Sequence, residues 1–345
     1  MPVWDTNPYH AELKKALGSL GVEILCPPSL KAFCRDYRAG AAHLDVMHLH
    51  ALPRFDWSAT GMGRYAMFSR RLRQLQERGV RLIWTVHDLQ NHDSEHRWME
   101  HLLGRGLARR MDAVIVHGDT AKQIIETRWG VHTCKRIYVI PHGHYIQSYR
   151  NDIGARAARA HLGFDSSHVV FLFFGLIRPY KGVEQLVEEF RAWTDPNARL
   201  VIAGNPISEA IKDGILLSTQ GDSRIRFIPG HIAADEIQLY MNACDVVVLP
   251  YKRILTSGAA VLAMSFGKPC IAPRAGCVVD MLDEEGALFF DPLVRGDLGR
   301  ALREAVVCKQ RLPEMGRYNL NRVAEWDWNE IGRATAAVYE KCVAV

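Results

Sequence analysis

A chain of 345 residues, 48% hydrophobic and 23% charged, has the composition of an ordinary globular protein. It exceeds what one hydrophobic core usually supports, so two domains of roughly 150 residues each are expected. A net charge of +5 and a pI near 8.7 suit an anionic substrate or an anionic bilayer surface but are too weak for a nucleic-acid binder.

The chain opens on Met1-Pro2-Val3-Trp4 and Asp5-Thr6-Asn7-Pro8-Tyr9, as if a first strand were clipped, and continues as a helical pattern through Leu13, Leu17 and Leu20 that stops at Gly21. Val22 to Leu25 reads as a short strand ended by Cys26-Pro27-Pro28. In Asp45-Val46-Met47-His48-Leu49-His50 the two imidazoles alternate with apolar residues, so on a strand they share one face. A pair at a strand end facing a cleft is the expected reading; a metal site would need a third ligand that the spacing does not supply. Gly61 to Gly79 is a helix with Tyr65, Phe68, Leu72 and Leu75 on one side and Arg64, Arg70, Arg71, Arg73 and Arg78 around the other. Such a helix either packs its stripe in a core with its arginines in water, or lies on anionic headgroups.

Val80 to Val86 is a strand ending in His87-Asp88, and the C-terminal ends of strands in an open parallel sheet are where ligands bind. A neighbouring carboxylate would hold such an imidazole in one tautomer and raise its basicity, although a satisfied structural histidine fits the same residues. Asn91 to Arg110, with His92, Asp93, His96 and Arg97 near its start, suggests an active-site loop running into a helix. Met111 to His117 and Ile137 to Ile140 are two further strands, the second leading into Pro141-His142-Gly143-His144-Tyr145. A linker is expected near 146 to 152, giving domains 1–148, with a C-terminal helix 328–345 added, and 149–327.

The second half turns on VVFLFFGLIRPYKGVEQLVEEF, residues 169 to 190. Val169 to Phe174 is an unbroken apolar run, the mark of a parallel strand buried on both faces, whereas Val183, Leu186, Val187 and Phe190 follow the helical period. Between them, Gly175, Arg178, Lys181 and Gly182 place a glycine turn and two cations at a helix start, which makes a phosphate site or a solvated loop. Strands follow at Arg199 to Ala203, leading to Asn205; at Arg224 to Ile228, leading to His231 and Ile232; and at Asp245 to Pro250. In Ile254-Leu255-Thr256-Ser257-Gly258, Thr256 or Ser257 would cap a helix whose first N–H groups, at Gly258 and Ala259, can meet a second oxyanion. Two anion sites at strand ends of one domain favour a diphosphate. The alternation of strands and helices argues for α/β architecture with two doubly wound parallel sheets.

The eight cysteines lack C-x-x-C or zinc spacing and read as reduced thiols of a cytoplasmic protein. With no signal-peptide pattern and no apolar run near ~18 residues, the chain is expected to be neither exported nor membrane-spanning.

Four ordered segments, GLIRPYKGVEQLVEEF, VIPHGH, RIRFIPGHIAADEIQLYMNACDVVVLPY and LTSGAAVLAMSFGKPCIAP, resemble the GT-B glycosyltransferases related to family 4. The resemblance spans nearly the whole chain. It implies two Rossmann-like domains facing across a cleft, the C-terminal helix crossing back to the first. It also implies a nucleotide-sugar donor bound by Gly175, Arg178, Lys181, Asn205, His231, Ile232, Thr256, Ser257 and Gly258. The glycan acceptor, lipid-linked at the cytoplasmic membrane face, would meet His48, His50 and His142, with His87 and Asp88 as catalytic candidates. No metal or other cofactor is implied. The family usually carries two glutamates around the donor helix, and those positions here are Ile254 and Leu262. Retention cannot be assumed without them, and an inverting path needs a base such as His87 or Asp88. Their loss suits β-mannosyltransferases of the xanthan-pathway kind, with GDP-mannose as donor; a GT-B sugar-nucleotide epimerase and an inactive nucleotide-sugar-binding partner are the alternatives.

Overall fold

The computed structural model describes residues 8–26, 43–50, 58–88, 97–130 and 137–344. The chain divides into two compact units, Met1–His142 with Asp327–Val345 and Gly143–Trp326.

The first unit carries a parallel sheet of β1 (Val46–Leu49), β2 (Arg81–Thr85), β3 (Ala113–Val116) and β4 (Ile137–Val139), in that spatial order. Leu82, Ile83, Trp84 and all of β3 are buried, as the apolar runs require. The helix Ala59–Gln76 sinks Phe68, Leu72 and Leu75 and leaves Arg64, Arg70 and Arg73 exposed, so the expected stripe faces inward. The terminal helix Trp328–Val343 packs on the helix Pro8–Ser19, so closely that a Cβ on Gly332 would lie 2.8 Å from that of Ala16. Asp327 caps it, accepting from the N–H groups of Asn329 and Glu330. Residues 22–26 form no strand. Three apolar residues interrupted by Glu23, with no strand paired to them among the described residues, are too short a run to hold extended pairing alone.

The second unit holds six parallel strands in the order β10-β9-β8-β5-β6-β7. They are β5 (Val169–Phe174), β6 (Ala198–Gly204), β7 (Ile225–Pro229), β8 (Val246–Val248), β9 (Cys270–Pro273) and β10 (Ala287–Phe290). The helix Val183–Arg191 buries Val183, Leu186, Val187 and Phe190, and the Phe190 ring meets Phe171 of β5 edge-on with centroids 6.0 Å apart. Asp245 ties β8 to β5, its Oδ2 accepting from the Val170 N–H at 2.7 Å and from Arg159. The chain winds outward from β5 through β6 to β7, then returns to β8 on the other side. The crevice between the loops leaving β5 and β8 is therefore a topological switch point, the place where open α/β sheets bind ligands.

Candidate active site

In both units the C-terminal ends of adjacent strands carry distinctive chemistry. In the second unit the loop after β5 begins at Gly175 and passes a single 3-10 turn, Pro179–Lys181, before the helix at Val183. Two glycines make it possible. Gly182, with φ 68°, has no room for a side chain, since a Cβ would lie 2.0 Å from the Pro250 carbonyl oxygen. At Gly204 a Cβ would come within 1.8 Å of the Gly175 oxygen, so β5 and β6 approach as only glycine permits. Arg178 and Lys181 are half-buried here, with Lys181 Nζ 5.6 Å from the centre of the Tyr251 ring. The pairing extends outward: Ile177 N–H donates to the Asn205 carbonyl at 2.9 Å, while the Asn205 residue itself is exposed. After β7, His231 is exposed and Ile232 half-buried.

Of the two expected caps, Ser257 caps the helix Gly258–Ser265, its Oγ accepting from Ala260 N–H at 3.1 Å. Ser257 is 4% exposed and also bonds the buried Tyr251 hydroxyl, whose pKa burial nonetheless raises. Its hydroxyl is thus engaged in capping, where the sequence suggested a donor to ligand. The groups left to meet an anion are the N–H groups of Gly258 and Ala259, which have no intrahelical acceptor, with half-buried Thr256 beside them. Cations after β5 and amide dipoles after β8 thus border one switch point.

The first unit delivers histidines. His50 follows β1, His87 follows β2, His117 follows β3 and His142 follows β4. Thr85 pairs with Ile115 across β2 and β3, so two residues further His87 and His117 fall side by side on the same face. The ring centroids of His50 and His87 are 5.8 Å apart, those of His87 and His117 4.9 Å, and those of His117 and His142 5.4 Å. Tyr9, only 4% exposed on the first helix, covers the row, its ring 4.8 to 5.8 Å from those of His10, His50, His87, His117 and His142. Trp328 of the last helix packs against Tyr9 at 5.3 Å. Although several rings converge, no group of His, Cys, Asp or Glu among the described residues has metal-binding geometry.

Three expectations change. His48 shares a face with His50, but its Nδ1 meets Tyr339 Oη at 2.6 Å and its Nε2 meets Thr85 Oγ1 at 2.8 Å, which makes it a strut rather than a contact for acceptor. His142 is 6% exposed and packs on Tyr9 and His117. The partner of His87 Nδ1 is not the adjacent carboxylate but His117 Nε2, at 3.3 Å, while Asp88 is exposed. His92, Asp93 and His96 lie outside the described residues. His117, His10, Tyr9 and Tyr339 were not singled out from the sequence, although His117 ends an apolar strand just as His87 does.

Burial, reinforced by the neighbouring imidazoles, pushes His48 down to about 3 and His50 and His87 well below the ordinary histidine range. Burial takes His117 to about 4, against the hydrogen bond to Ile140. All four are neutral near pH 7, and each keeps a ring lone pair.

Family models match both halves of the chain: Glycosyltransferase Family 4 over residues 15–147 and Glycosyl transferases group 1 over residues 168–307. The chain is a GT-B glycosyltransferase related to family 4. This glycosyltransferase is 28% identical to the GDP-mannose:glycolipid 4-beta-D-mannosyltransferase of Xanthomonas campestris pv. campestris, over 98% of its own length and 89% of the relative's. It is 24% identical to the MMP alpha-(1->4)-mannosyltransferase of Mycolicibacterium hassiacum, over 79% and 68% of the two chains. Among solved structures it is similar to the sucrose-phosphate synthase of Thermosynechococcus elongatus, with a TM-score of 0.74, 21% identity, and 91% and 77% of the chains covered. Anabaena HepE in complex with UDP gives a TM-score of 0.71 at 16% identity, covering 94% and 84%. These two likenesses speak to fold. No helix among the described residues is long and apolar enough to cross a membrane.

Proposed function

We propose that this glycosyltransferase moves mannose from GDP-mannose onto a lipid-linked glycan during polysaccharide assembly, by single displacement and without a metal ion. The observation that carries the reading is the switch-point cradle of the second unit, together with near full-length similarity to a relative named for that donor and a glycolipid acceptor. Arg178, Lys181 and the N–H groups of Gly258 and Ala259 would neutralise the diphosphate as it leaves, which is work that a metal does elsewhere. Ile254 and Leu262, where the family usually has glutamates, offer no carboxylate to the sugar or the ribose. That favours displacement by the acceptor itself, and a beta linkage, as in the relative's name, is what one displacement on an α-linked donor yields.

His87 is the base in this reading. It is neutral near pH 7 and stands at a strand end, so it can take the acceptor's hydroxyl proton as the oxygen attacks the anomeric carbon. The acceptor is assigned to the first unit, with His50 and the neighbouring loops. The enzyme would work at the inner face of the cell membrane, with the arginine face of helix Ala59–Gln76 on anionic headgroups.

The test is release of nucleoside diphosphate from GDP-mannose, UDP-glucose and ADP-glucose, each with and without a lipid-linked oligosaccharide. GDP release that needs the acceptor is expected. Conversion of the sugar in donor alone would make the protein an epimerase, and no turnover with any donor would leave only a binding role.

A further inference from the structure

The histidine row has a direction. Its far end is the Ile140 carbonyl, 2.9 Å from His117 Nδ1, and a carbonyl oxygen can only accept. His117 therefore carries its proton on Nδ1, and as a neutral ring it has a lone pair on Nε2. The atom 3.3 Å from that lone pair is His87 Nδ1, which must then be the protonated nitrogen of His87. The lone pair of His87 is thereby left on Nε2, the nitrogen turned toward the β1 side of the row, where His50 Nδ1 lies at 3.5 Å, a long contact that the acceptor's hydroxyl has to displace. One backbone carbonyl sets two tautomers in succession.

We propose that Ile140 and His117 hold His87 in its Nδ1–H form, so that His117 is a positioning residue that makes Nε2 the proton-accepting atom of the base. The proposal rests on the reading of His87 as base. In the step itself, the acceptor's hydroxyl proton passes to His87 Nε2, its oxygen bonds the anomeric carbon, and the bond to the diphosphate breaks with its electron pair leaving on the diphosphate. His87 becomes an imidazolium whose Nδ1–H remains bonded to His117 Nε2. On its Nδ1 side the new charge is stabilised by the neutral imidazole of His117, and the ring returns its proton to solvent after product leaves. The groups packed around the pair are Tyr9 and His10 from the first helix, His50 and His48 from β1 and its end, and His142 after β4. None of these groups, all among the described residues, is a carboxylate, and it is the hydrogen bonds running from Ile140 through His117 that fix the tautomer. Free histidine favours the opposite tautomer, so the preference here is imposed by the fold.

Histidine-selective 15N labelling tests this. Long-range 15N–1H correlations of the whole protein at pH 8, assigned with His87→Gln and His117→Gln, should show protonated Nδ1 on both rings. His117→Met removes the acceptor with little change in volume. It is expected to return His87 to a tautomer mixture and to lower kcat roughly 10- to 100-fold with donor KM unchanged, the range of losses when a group orienting a ligand or base is removed. His117→Gln, whose amide oxygen can accept the same proton, should restore kcat to within about threefold of wild type. Nε2–H on His87 in the wild type overturns the proposal whether or not His117→Met folds. So does an unchanged His87 tautomer in a folded His117→Met, even where His87→Ala remains inactive, an outcome that leaves the base reading standing. A changed tautomer with kcat intact removes the base reading and the positioning role with it.

Discussion

Lys181 is where the donor cradle can be tested one atom at a time. Its ammonium sits over Tyr251 and within van der Waals reach, 3.8 Å, of where a Gly175 side chain would begin, at a turn whose φ of 116° favours glycine. If it meets a leaving diphosphate, Lys181→Ala should lower kcat/KM for donor by about 30-fold, the equivalent of about 2 kcal/mol for one charged hydrogen bond. Steady-state kinetics with the preferred donor decide it, and values equal to wild type would detach Lys181 from the chemistry. This loop was legible in the sequence because a switch from buried strand to amphipathic helix, with glycine and cations at the switch, is a local signal. The role of Ser257 was only half legible. A hydroxyl before a helix announces a cap, but whether it also faces ligand depends on Tyr251, whose approach is a matter of tertiary packing. The first unit hid more. His48, His50, His87 and His142 each stand out at a strand end, yet their order in space follows from strand order and register, which no single segment carries. Tyr9 gives no local signal at all, because its place among the rings is fixed by where its helix docks.

Among the elements, the helix Ala59–Gln76 has an inner face that is accounted for and an outer face that is not. Phe68, Leu72 and Leu75 are buried, and the Arg110 guanidinium donates to the Ser69 carbonyl at 2.8 Å, anchoring the helix to its neighbour Arg97–Arg110. Outward stand Arg64, Arg70 and Arg73 with Met62 and Met67, which are 47% and 48% exposed. Cations mixed with flexible apolar side chains suit an anionic lipid surface, where each arginine contributes on the order of 1 kcal/mol. The purified protein is therefore expected to co-sediment with phosphatidylglycerol vesicles but not with phosphatidylcholine vesicles. Arg70→Glu with Arg73→Glu should abolish this, roughly a 30-fold loss or more, while turnover of a detergent-soluble acceptor stays unchanged. Equal sedimentation of variant and wild type would return the face to water. The helix itself was readable from its 3.6-residue period, whereas the strand read at Val22 to Leu25 was not there to be found. A run of β-branched and apolar residues makes a strand only if a partner lies beside it, and among the described residues none pairs with 22–26.

At the scale of the whole molecule, the two units should answer acid differently. In the first unit His10, His48, His50, His87 and His117 are all shifted downward, chiefly by burial, with His48 at about 3 and His117 at about 4. Below pH ~6.5 the unfolded chain takes up protons that these folded rings refuse. Stability therefore rises with pH across this range and falls as pH drops from about 6.5 toward about 3, by up to about 1.4 kcal/mol per pH unit for each histidine involved. The second unit has only His168 shifted in the same way. Its main downward shifts belong to carboxylates such as Asp222, held down by Arg224, and their stabilisation is lost only below the ordinary carboxylate range. Between pH 6.5 and 4.5 the first unit should thus weaken while the second holds. Native-state hydrogen exchange checks this directly: at pH 5, β2 and β3 are expected to lose protection well before β5 and β6. Parallel loss in both sheets would mean that the imidazole row is not closed to protons, and the tautomer ladder built on its neutrality would fail together with the acid-labile first unit.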